Sequence, residues 1–205
     1  MSVASFGARR AAAKGEPPKL LRVPLAFAIA GRHRKKEGKE MLEPVVSRAW
    51  LDEQLLTANT IFGEHAIGFR EAKPSRDLEE RFVALENRAD RDALAPSLLA
   101  EVVNVFVVES LRDVDDPKLH RMGVMWRNLR DLKKKYVIVA ASARTTTLAH
   151  EIGHYLGNDH SYVKNNLMSY DRDGGKVTLS ADQAARARRT ALAHFANKQL
   201  LEPEA

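Results

Sequence analysis

The chain has 205 residues, no cysteine, 44% hydrophobic and 29% charged residues, and a formal net charge of +6. Those figures fit one domain, or one domain in two lobes, and they exclude disulfides and thiol-based latency; no apolar run approaches the ~18 residues of a membrane helix. The positive balance favours anionic partners at long range. The basic runs at 32–36, 133–135 and 186–189 lack interleaved aromatics, so they read as solvated surface and nucleic acid is not expected.

Residues 1–19 are rich in Ala, Gly, Pro and basic side chains and read as a flexible leader. The following LLRVPLAFAIAG resembles a signal-peptide core ending in Ala28-Ile29-Ala30, but Arg22 and Pro24 interrupt it. Val23, Leu25, Phe27 and Ile29 alternate with smaller residues, which predicts a first strand and no signal peptide. A basic loop, RHRKKEGKE, comes next, and Pro44 is placed in the first turn of a helix. Leu51, Leu55, Ala58 and Phe62 form that helix's apolar stripe, with Gly63 as its stop. Ile67 and Phe69 suggest a short strand, and residues 75–92 a charged helical insertion with Phe82 and Leu85 turned inward.

EVVNVFVVES is apolar on both faces, as a buried central strand should be. RMGVMWR (121–127) and KYVIVAA (135–141) predict two further strands. Near the C-terminus, Ser180 and Gln183 stand in capping-box spacing at the start of a helix buried through Ala184, Ala187, Ala191 and Phe195. His194, on the same helix, reads as a packing or surface residue. Asp171 and Asp173 in DRDGGK lack calcium-loop spacing and are read as a turn, so calcium is not expected.

Between the last strand and that helix lies HEIGHYLGNDH, residues 150–160. On a helix His150 and His154 share one face, close enough to hold a zinc ion together. If the helix continued, His160 would lie about 15 Å along the axis from His150, so the chain must stop and turn back. Gly157 sits at that stop, and glycine readily adopts the left-handed conformation that ends helices. Three histidines with an open fourth position are the pattern of a catalytic zinc site. Glu151 is placed as general base and acid for hydrolysis.

This pattern resembles the zinc signature of the metzincin metallopeptidases, and Met168 in NNLMSYD is similar to their Met-turn methionine, which forms a floor beneath the metal. Ser161, directly after the third histidine, resembles the matrixins. Tyr170, two residues after Met168, resembles the tyrosine of astacins and serralysins, a zinc ligand that swings away when substrate binds. The mixture suits a bacterial, pappalysin-like or minimal member of the clan. The resemblance implies an α/β (α+β) fold: a twisted, mostly parallel sheet with a backing helix and an active-site helix in residues 20–157. Residues 158–205 would form a small C-terminal lobe, the two lobes making one catalytic domain. It implies a monomeric zinc endopeptidase, secreted or extracytoplasmic. Its peptide substrate would lie extended along the edge strand at Arg121–Arg127. Two alternatives stay open: a metal-dependent binding or toxin-like module with one protein target, and a basic nucleic-acid-associated protein with a vestigial zinc site. The intact Glu151 argues against the second.

Overall fold

The computed structural model describes residues 18–36, 38–128 and 130–201; the expected leader lies almost wholly outside them. In chain order the strands and helices are β1 (Leu21–Lys36), β2 (Lys39–Pro44), α1 (Arg48–Gly63), β3 (Ile67–Glu71), β4 (Arg76–Leu78), β5 (Ala84–Leu85), α2 (Arg88–Asp92) and β6 (Val103–Val108). They continue with β7 (Ser110–Leu111), β8 (Gly123–Arg127), β9 (Lys135–Ala140), α3 (Thr147–Tyr155) and α4 (Ala181–Ala196).

The main sheet runs β2-β1-β6-β9-β8, with β3 and β4 also pairing with β1. β1 is parallel to β3, β4 and β6, and β6 is parallel to β9. Only the outermost pairings, β1–β2 and β8–β9, are antiparallel. The expected class, a mixed α/β fold on a mostly parallel sheet, is the one observed.

The continuous apolar runs have a direct cause, since the central strands are covered on both faces. Val23, Leu25, Phe27 and Ile29 of β1, Val105 and Val107 of β6, and Val137 and Val139 of β9 face a core shared with α1, α3 and α4. The alternate residues Ala28, Ala30, Phe106, Val108, Tyr136 and Ile138 face a second core closed by Leu78, Phe82, Leu85 and Leu94. Period-two alternation therefore sorts two apolar sets rather than apolar from polar.

Three sequence expectations are corrected. The basic stretch RHRKKEGKE is not simply a loop: residues 32–36 are the far end of β1 and residues 39–40 the start of β2, a hairpin registered by Arg32↔Glu43 and Arg34↔Met41. Pro44 ends β2, and α1 begins instead at an N-cap, Ser47, whose side chain accepts from the Trp50 N–H. Residues 75–92 are not one helix. They form β4, a one-turn 3₁₀ helix at Glu80–Phe82, β5, and the short α2 with its Asn87/Asp90 capping box. Strand pairing decides this, because β4 is taken up by β1 and β5 by β7. Phe82 and Leu85 are buried as expected. Among the described residues no helix is long and apolar enough to cross a membrane.

Candidate metal centre

Helix α3 is held from below and from its first turn. Leu148, Ala149 and Ile152 sink into the core under the sheet. The buried amide of Gln54 on α1 accepts from the Leu148 N–H (3.2 Å) and donates to the Arg144 carbonyl (3.0 Å). It thus satisfies one of the donors that a helix start leaves free. At the other end, the Gly157 N–H donates to His154 O (2.9 Å) and the Asn158 N–H to Gly153 O (3.0 Å). This is a Schellman closure, and Gly157 has φ +88° as it requires. The chain then reverses and brings His160 back to the helix.

The three imidazoles converge. Nε2 of His154 lies 3.1 Å from Nε2 of His150 and 3.1 Å from Nε2 of His160. His150 Nδ1 donates to the Leu167 carbonyl (2.7 Å), and His154 Nδ1 donates to the Asn158 carbonyl (2.7 Å). Carbonyl acceptors fix the proton on Nδ1, so both Nε2 atoms present lone pairs. Burial pushes the His150 imidazolium down to about 4, and burial likewise lowers His154. Two neutral rings with facing lone pairs cannot hydrogen-bond to each other, whereas a cation between them satisfies both. Ligand atoms held tetrahedrally by zinc stand about 3.3–3.4 Å apart, close to the spacing here. The donor set fits a zinc ion, and among the described residues it is the only group of three or more His, Asp or Glu side chains gathered this way.

Of the other residues singled out by sequence, Glu151, Tyr170 and Met168 stand around the triad, and Asp173 and His194 do not. Glu151 is buried, and that burial raises its carboxyl to about 7, opposed by the Met125 backbone N–H and the charge of Arg121. Tyr170 is exposed, with its hydroxyl 2.8 Å from His160 Nε2. Met168 is fully buried beneath α3, and its backbone carbonyl accepts from the Ser161 N–H (2.8 Å). Asp173 caps its own loop by accepting from the Gly175 N–H (3.0 Å). His194 is a packing residue whose Nε2 meets Lys135 Nζ at 2.8 Å.

β8 closes the upper side as the end strand of the sheet. Two recesses open beneath it. One, of about 320 Å³, lies toward the N-terminus of α3 and is lined by His150, Glu151 and Tyr170 among others. The other, of about 360 Å³, lies toward Trp126 and is lined by Glu151, His154, His160 and Tyr170 among others.

No protein-family model and no curated protein matches the sequence. Among solved structures the chain is similar to metalloproteinase-II from Bacteroides fragilis, with TM-score 0.53 and 15% identity over 83% of this chain and 53% of that one. It also matches archaemetzincin from Archaeoglobus fulgidus, with TM-score 0.48 and 13% identity over 81% of this chain and 99% of that one. The fold is one shared with a metalloproteinase. The chain spans about half the length of the metalloproteinase-II structure.

Three residues essential to this geometry carry no signal that marks them in the sequence. A Cβ on Gly123 would lie 2.7 Å from Thr147 Cγ2 and 2.9 Å from Glu151 Cγ, so only glycine lets β8 pass so close over Glu151. A Cβ on Gly153 would lie 2.5 Å from Met168 Sδ, so the glycine of this H-E-x-G-H run is constrained from beneath. Gln54, buried on α1, is legible only as a polar break in an apolar stripe.

Proposed function

We propose that this chain is a zinc-dependent endopeptidase. The observation that carries the reading is a buried carboxylate, Glu151, beside three converging imidazoles and under an open sheet edge. His150, His154 and His160 hold the ion, oriented by the carbonyls of Leu167 and Asn158. Bound there, zinc supplies Lewis acidity that polarises the scissile carbonyl and acidifies water.

The substrate lies extended against β8, in the cleft between an N-terminal lobe (20–157) and a C-terminal lobe (158–205), adding a strand to the sheet. Glu151 takes a proton from the attacking water as the new C–O bond forms. It then delivers that proton to the leaving nitrogen as the C–N bond breaks, so the carboxylate is regenerated. Tyr170 moves off His160 and donates its hydroxyl proton in a hydrogen bond to the oxyanion developing on the carbonyl. Gly157 keeps the third histidine within reach, and Met168 supports the floor of the site. The metalloproteinase name of the structural neighbour agrees with this reading.

Glu151→Ala tests it. The variant should retain about one zinc per chain and lose most peptide hydrolysis, since the ligands remain and the base is gone. Hydrolysis near the wild-type rate would overturn the assignment.

A further inference from the structure

The two recesses flanking Glu151 differ in how their charges are compensated. In the recess beside Trp126 three arginines stand with three carboxylates: Arg88 pairs with Asp115 at 2.6 Å, Arg121 pairs with Asp113, and Arg91, which donates to the Arg112 carbonyl and stacks on Trp126, is balanced in number by Glu151. Asp113 accepts the N–H groups of Asp115 and Asp116 as well as Arg121, which holds its carboxyl down to about 2. That carboxylate is fixed in place, and Arg121 with it.

The recess at the N-terminal turn of α3 has no such balance. Arg121, Arg144 and Arg172 all line it, together with Thr146 and Thr147, and Glu151 is its only carboxylate. Neither Arg144 nor Arg172 forms an ion pair among the described residues. Arg172 is half-buried and anchored by neutral groups only, donating to the carbonyls of Asn166 and Leu167 (2.9 Å to the latter). Its desolvation and the like charge of Arg144 both act against its cationic form. Arg144 is exposed and Arg172 half-buried, and two unpaired guanidiniums lining one recess give it a positive potential that favours an anion. The Leu167 carbonyl that Arg172 grips also accepts from His150 Nδ1, so an anion bound here is coupled to the orientation of a triad histidine. The positive end of the α3 dipole adds to the same preference.

We infer that this recess recognises a carboxylate on the substrate, with Arg144 and Arg172 as its specificity-determining residues. Guanidinium forks suit planar carboxylates, and charge-assisted hydrogen bonds are the stronger kind. The inference rests on the peptidase reading and narrows it to anionic substrates. The carboxylate has two possible sources, an acidic side chain beside the scissile bond or a free C-terminus one or two residues beyond it.

The test uses the zinc-loaded 205-residue chain and quenched-fluorescence peptides in matched sets. Asp is exchanged for Asn, and Glu for Gln, on either side of the cleavage point, each peptide being made as free acid and as amide. One carboxylate-bearing series should be cleaved with a kcat/KM about tenfold or more above its neutral partner, carried mostly in KM. The internal and C-terminal arms identify the source. The acid-to-neutral ratio should fall toward one in Arg144→Gln, and Arg144→Glu should turn the preference toward Lys-containing peptides. Arg34→Gln, on the remote β1–β2 hairpin, should leave the ratio unchanged. Arg172→Lys keeps the charge but loses the fork, and should lower the ratio partway.

A binding measurement keeps this separate from the peptidase reading. Fluorescence anisotropy on Glu151→Gln should show the same acid preference without turnover. Cleavage with equal acid and neutral rates, or a ratio unmoved by Arg144→Gln, overturns the carboxylate inference and leaves the peptidase standing. Absence of any cleavage together with acid-selective binding does the reverse.

Discussion

Replacing Gly153 by Ala sets two physical effects of opposite sign against each other. Gly153 is a buried residue in the interior of α3. On helix propensity alone, alanine there should stabilise the protein by about 1 kcal/mol. The new Cβ, however, would stand 2.5 Å from Met168 Sδ and 3.2 Å from Met168 Cε. Ordinary contacts begin at about 3.5 Å, so the sulfur must retreat by about 1 Å from a position with no free surface. Overpacking of this kind costs about 1–3 kcal/mol, so the net expectation is a loss of about 1 kcal/mol, or about 2–4 °C in Tm for a chain of this length. The decisive assay is a double-mutant cycle by urea denaturation. In a Met168→Ala background the clash is gone, and Gly153→Ala should become stabilising, giving a coupling of about 2 kcal/mol. Stabilisation by Gly153→Ala in both backgrounds would refute the packing argument.

Gly123→Ala pushes a methyl group against Glu151 Cγ and Thr147 Cγ2, so kcat should fall at least about tenfold while zinc stoichiometry is kept; unchanged kcat would show that β8 yields freely. Tyr170→Phe removes one oxyanion donor, a loss that typically costs about 10²–10³ in kcat, and a kcat within about twofold of wild type would return Tyr170 to a packing role. His160→Ala should lower zinc affinity and activity together, read by calorimetric titration of the apoprotein. Lys135, enclosed by the Tyr155 ring (4.1 Å) and His194, is lowered from 10.5 to about 8, by burial first and Arg127 second. The unfolded chain then binds more protons between those values, so Lys135 adds stability as pH rises from about 8 to about 10.5. Lys135→Met should abolish that increment, and an unaltered pH dependence of the urea midpoint would contradict it.

The sheet and the histidine triad were legible because each follows from a single local rule. β6 and β9 carry apolar residues on both faces, interrupted only by Asn104 in β6 and by Lys135 at the start of β9, and had to be buried on both faces. The spacing His150-His154-Gly157-His160 prescribed a helix, a left-handed stop and a return, and Gly157 at φ +88° supplies the stop. The failures lie where tertiary pairing outweighs local pattern. Residues 75–92 carry a fair helical stripe, yet β4 is claimed by β1 and β5 by β7. The charged segment 32–40 looks like a loop because both edges of its hairpin are solvated. Gly123, Gly153 and Gln54 matter through what lies opposite them, more than twelve residues away in each case, and no window along the chain contains both partners. The arginine-lined recess was invisible for the same reason, since Arg121, Arg144 and Arg172 are gathered from the connections before β8, before α3 and after Met168.

The most direct test of the central claim is cleavage of a random peptide mixture by the purified chain, followed by mass spectrometry, before and after zinc is stripped by a chelator and then restored. The account predicts internal cleavages that disappear on stripping, return with about one equivalent of zinc, and are absent throughout in Glu151→Ala. Cleavage that survives complete zinc removal, or no cleavage by a protein that carries its zinc, would contradict it.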